Sequence, residues 1–239
     1  LPCPLEGLQT PRRETASVLV EAALMKPMSL ILSLSLASCL GQTALRAAGP
    51  LTGVWRDNNL TALRNGNNDL PGVSARLQLL DPRTGQPVPP ARFTLTVRCD
   101  PGRGALWLQG EVTASGTEDT VADLVLRVEG VSLPTGNGVD DLLLASSLVN
   151  KLPLAPLRTV ANGQDQLALA MPADKPYVFA FRSLPAERAV EMRLPLGFSN
   201  DARPELRMQA PFGIVLMPTD PQWHFRAALA QYYRLFPAM

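Results

Sequence analysis

Apolar residues recur at every second position along much of this chain, and that pattern restricts its fold more than any other feature. Leu77 and Leu79 alternate with Arg76 and Gln78. Phe93, Leu95 and Val97 alternate with Arg92, Thr94, Thr96 and Arg98. Leu124, Leu126 and Val128 alternate with Asp123, Arg127 and Glu129, and Val125 alone breaks the pattern. Tyr177, Phe179 and Phe181 share one face; Val190, Met192, Leu194 and Leu196 share another, with Glu191 and Arg193 opposite. Side chains on a strand point alternately to two faces, so these segments predict sheets with one dry and one wet face. Further strands are expected over 105–114, 166–171 and 206–216.

The connections carry turn chemistry. Asp81-Pro-Arg-Thr-Gly85 and Asp100-Pro-Gly-Arg-Gly104 place Pro and Gly where tight turns want them. Thr135-Gly-Asn-Gly138 and Asn162-Gly163 supply positive φ angles cheaply. The 23 prolines and 17 glycines are too many for a helical protein and fit a turn-rich β protein. About ten antiparallel strands predict an all-β, two-sheet sandwich of the super-sandwich type over residues 51–218. Residues 140–151 are a candidate helix or irregular excursion within it.

Residues 25–39 read Met-Lys-Pro-Met-Ser-Leu-Ile-Leu-Ser-Leu-Ser-Leu-Ala-Ser-Cys. A short basic start precedes about ten apolar or small residues, the length of a signal-peptide core. That is shorter than the roughly 20 residues needed to span a bilayer. The stretch ends in Leu36-Ala37-Ser38-Cys39, which resembles the bacterial lipobox and implies lipidation of Cys39 and removal of the signal helix. Two other readings stand: cleavage near Ala47 or Ala48, and a buried helix. Residues 1–24 precede a natural start at Met25 and read as an untranslated or mis-called extension. Residues 40–50 read as a tether.

From Met217 to Pro237 the pattern changes to helical. Asp220 is suited to an N-cap and Pro221 to the first helical position. Phe225, Leu229, Tyr232 and Phe236 fall on one apolar face. Residues 219–239 are therefore expected to be an amphipathic connector helix.

The chemistry-bearing residues are sparse. Net charge is +1 with no run of Lys or Arg, so no nucleic-acid partner is expected. His224 is the single histidine, which excludes a His-rich metal site. Cys3, Cys39 and Cys99 lack Cys-x-x-Cys spacing, so no structural zinc is expected. Cys99 reads as a small half-buried residue. Asp57, Asn58, Asn59, Asn65, Asn67, Asn68 and Asp69 form a polar loop between Trp55 and Pro71. Amides and carboxylates suit a sugar, but they also stabilise turns by bonding their own backbone, and the spacing demands no ligand. Trp55 and Trp107 read as packing residues, His224 as a packing residue on the helix, and Asp140-Asp141 as a poor acid/base pair because neighbours on a strand diverge. No catalytic, cofactor-binding or metal-binding residue is assigned, and no cofactor is expected.

Residues 160–237 resemble glycoside-hydrolase-like proteins in which a galactose-mutarotase-like β-sandwich precedes a (β/α) barrel. Three segments carry the likeness: 162–177, then 192–198 with 212–218, and the helix from Asp220 to Pro237. His224 departs from it, standing where Gly is common. The resemblance implies catalytic carboxylates on the barrel and none here. It also implies that the barrel is missing from this chain and would be the sandwich's partner in the same polypeptide. The chain is thus expected to be the supporting sandwich of an exported cell-envelope protein, inactive alone and lipid-anchored to a membrane. The alternative is a self-contained surface lipoprotein that binds a glycan or a protein.

Overall fold

The computed structural model describes residues 50–133, 156–175 and 177–238. The signal segment 25–39 with Cys39, the extension 1–24, Cys3, all of the tether but Pro50, the turn 135–138 and the excursion 140–151 with its acid pair lie outside the described residues.

Twelve strands among the described residues form two antiparallel sheets. Sheet one holds β1 (Leu51–Arg56), β2 (Asn59–Asn65), β3 (Asn68–Asp69), β4 (Ser74–Leu80), β7 (Thr120–Glu129), β10 (Ala180–Leu184) and β11 (Ala189–Phe198). Its order is β1-β2-β4-β7-β11-β10, with β3 paired to β2. Sheet two holds β5 (Phe93–Gly102), β6 (Ala105–Ala114), β8 (Leu157–Asn162), β9 (Asp165–Ala170) and β12 (Gln209–Thr219). Its order is β5-β6-β12-β9-β8. One helix, α1 (His224–Leu235), follows β12. The expected two-sheet sandwich with a C-terminal helix is what forms.

The alternation explains the packing. Leu77, Leu124, Leu126, Val128, Val190, Met192 and Leu194 of sheet one meet Leu106, Leu108, Leu167, Leu169, Phe212, Ile214 and Leu216 of sheet two in one buried core. Each such side chain contributes about 1.5–3 kcal/mol when fully buried. Asn162 ties the two sheets at one end: its side-chain amide donates to the Gly130 carbonyl at 2.9 Å and to the Pro71 carbonyl at 3.3 Å.

β12 breaks the alternation, and its neighbours show why. Residues 212–219 are buried at every position. Phe212, Ile214 and Leu216 face the central core, while Val215 and Met217 face α1 together with Ala105, Leu157, Ala168 and Ala170. A strand covered on both faces reads as a continuous apolar run. Val125, the lone break in β7, is likewise fully buried.

The segment from Asp57 to Asp69 is not a loop. Asp57 and Asn58, both at positive φ (50° and 60°), close the β1–β2 hairpin, and Gly66 and Asn67 close the next. Ala62 also has positive φ (50°), and the β1–β2 register slips there, with Thr52 opposite Arg64 but Val54 opposite Thr61. The extra residue puts Leu60 and Leu63, three positions apart, both in the core. That bulge hides the period-two signal.

Candidate functional site

α1 lies against the outer face of sheet two. Ala228, Tyr232 and Leu235 are buried there, and Phe225, Leu229 and Phe236 pack beside them. The Tyr232 hydroxyl donates to the Met171 carbonyl at 2.9 Å. Burial first, then the charge of Asp174 and Tyr233, pushes its phenol up to about 12. The helix begins later than its sequence suggests. Asp220 caps a preceding turn instead: its carboxylate accepts from the Gln222 amide at 2.8 Å and its carbonyl from the Trp223 and His224 amides. His224 has φ of 45°, which interrupts the helical path, so Pro221 lies in the turn and not at the first helical position.

His224 is held by buried amide chemistry. Thr219 Oγ1 donates to Gln166 Oε1 at 3.3 Å, and Gln166 Nε2 sits 3.4 Å from His224 Nδ1. An amide nitrogen can only donate, so Nδ1 is the acceptor in this contact. The ring thus fastens the start of α1 to β9 and β12.

Sheet one carries a charge network on its outer face. Arg76, Arg127, Glu191 and Arg182 are successive cross-strand neighbours. Arg127 reaches Glu187 at 2.5 Å, Glu129 at 2.7 Å and Glu191 at 3.4 Å. Hydrogen bonds to Glu187 and Glu129 raise its guanidinium pKa further still, against a smaller opposing effect of burial. Arg193 bonds Asp123 at 3.2 Å and lies 3.5 Å from Glu191. Buried Glu191 thus sits among three guanidinium groups. The pairing fixes strand register across β7, β11 and β10.

The third feature is a cleft of about 570 Å³ where the C-terminal end of α1 meets β5 and β6. Trp107, Phe236, Asp100, Arg103, Gln109 and Asp174 supply its chemistry. Asp100 and Trp107 are cross-strand neighbours, and Arg103 at φ 53° turns the hairpin beside them.

The residues singled out in the sequence do not converge. Within 57–69, the Asn59 side chain donates to the Asp57 carbonyl at 2.7 Å across the first turn, and Arg64 meets Asp69 at 2.6 Å. Trp55 is half-buried against the central core. Trp107 packs edge-on against Phe236 and donates its indole N–H to the Gly102 carbonyl at 3.0 Å. Cys99 is half-buried; burial first and then Asp100 push its thiol up to about 11, so little thiolate exists near neutrality. Among the described residues, no group of three or more His, Cys, Asp or Glu is placed to hold a metal ion. Sequence reading missed the cleft because Asp174 and Phe236 reach Trp107 only through the fold.

No protein-family model matches the chain, and no curated protein matches it in sequence.

Proposed function

We propose that this sandwich is the supporting domain of an exported, carbohydrate-active, glycoside-hydrolase-like protein. In this reading it holds a catalytic barrel that follows α1 and has no activity alone. One observation supports it most: α1 is clamped at both ends, by His224 to Gln166 and by Tyr232 to Met171. A helix fixed in this way sets the direction in which the chain leaves the sandwich. Trp223 just before α1 and Tyr233 on it, 54% and 51% exposed, together with exposed Arg226, are available to a second domain. The test is to read the gene past Met239. A barrel-sized region of alternating strand and helix patterns is expected; an immediate stop codon would end this reading.

The second reading is a self-contained surface lipoprotein that binds a glycan or a protein. The cleft beside Trp107 favours it. Export and anchoring through Cys39 belong to both readings. A Cys39→Ala change should release the protein from membranes, and persistent attachment would refute the anchor.

A further inference from the structure

The helix covers only part of the outer face of sheet two. It packs over β8, β9 and β12. Toward the β5 edge the same face carries Trp107, Gln109 and Glu111 on β6, opposite Asp100, Arg98 and Thr96 on β5. This polar stretch ends at the cleft, where Phe236 forms one wall and Asp174 approaches from the chain after β9.

We infer that this cleft binds a neutral saccharide, with Trp107 as the apolar platform and Asp100, Asp174, Gln109 and Arg103 as partners for hydroxyl groups. A sugar ring has an apolar C–H face and a rim of hydroxyls that both donate and accept. Trp107 offers the complementary surface, and its orientation is set in advance. The indole N–H is committed to the Gly102 carbonyl at 3.0 Å, and Phe236 meets the ring at 5.6 Å between centroids. Little further ordering is needed when a ligand arrives. Asp100 is also held in place, by its ion pair with Arg98. Arg98 offsets Asp100, and Arg103 stands against Asp174 in the lining, so the cleft has no excess charge to draw in an ion. A volume of about 570 Å³ lies within the usual range for small-molecule sites. The saccharide class rests in part on the carbohydrate-related reading above; the position rests on this geometry.

The test uses the chain itself, titrated with soluble malto-, cello-, xylo- and galacto-oligosaccharides and followed by tryptophan fluorescence and calorimetry. At least one series should bind and quench the signal. Trp107→Ala should abolish binding. Because that change also removes packing against α1, Gln109→Ala and Asp174→Ala are the decisive variants, since both side chains are exposed. Each should weaken binding by at least about threefold, the loss of one hydroxyl partner. Failure of every series to bind overturns the site. Binding left unchanged by both Gln109→Ala and Asp174→Ala also overturns it, while leaving a carbohydrate role intact. Neither result bears on the supporting role, which is read from the activity of the longer protein.

Discussion

Replacing Tyr232 by Phe removes one oxygen from the contact that fastens α1 and leaves the ring in place. The hydroxyl is buried with its residue at 1% exposure, and it donates to the Met171 carbonyl at 2.9 Å. A neutral hydrogen bond contributes about 1 kcal/mol net, and leaving a buried carbonyl without that donor costs about 1–3 kcal/mol. The variant should therefore lose about 1–2 kcal/mol near neutral pH. Its alkaline behaviour gives a second signature. The folded phenol titrates at about 12, whereas an unfolded tyrosine titrates near ~10. Between these values the unfolded chain has released a proton that the folded chain still holds. Stability from this group is thus complete below about pH 10 and is lost as pH rises through about 12. The difference corresponds to roughly 2–3 kcal/mol. Phenylalanine has no such proton, so the gap between the two stability profiles should close as pH rises above about 10 and then reverse. A residual slope should remain in both, because Tyr177 is raised as well, by burial first and then by Asp174. Urea unfolding followed by tryptophan fluorescence across this pH range measures the effect. Equal stability at neutral pH, or parallel profiles up to high pH, would refute the claim that this hydroxyl clamps the helix.

The charge network predicts a marked asymmetry. Arg127→Met should cost about 2–4 kcal/mol by leaving buried Glu191 short of a partner, while the double change Arg127→Met with Glu191→Leu should recover most of that loss. Urea midpoints of both proteins decide it, and a double variant less stable than the single would contradict the account. At the β1–β2 turn, Asn58→Gly should be nearly neutral in thermal melts, whereas Asn58→Val should cost about 1–2 kcal/mol, because a β-branched residue resists positive φ. Equal melting of the two would show that the turn does not depend on the left-handed conformation.

The parts of the fold that were legible in the sequence are those where polar and apolar side chains alternate, even where the polar ones, such as Asp123 and Glu191, are themselves buried. β4, β5, β7 and β11 show alternation because Arg, Thr and Gln stand opposite Leu and Val. β6 is also placed over Ala105–Ala114 as expected. The first hairpins were not legible, since a bulge at Ala62 shifts the pattern and their turn residues imitate a loop. The apolar face of α1 was legible, but its start was not. Asp220 has the chemistry of an N-cap and spends it on a turn, and only the φ of His224 moves the helix onward. The cleft was out of reach for a different reason: Trp107, Asp174 and Phe236 come from a strand, a loop and the end of the helix, far apart in sequence. Helical or period-two patterns describe one element at a time and say nothing of what meets between them.

In the proposed function the sandwich supports a catalytic domain beyond α1. The most direct measurement is glycoside hydrolysis by the polypeptide encoded by the whole gene, with and without residues 51–218. Hydrolysis by the whole protein is expected, with its loss or a large fall when the sandwich is removed. Undiminished hydrolysis without the sandwich, or none by the whole protein, would contradict it.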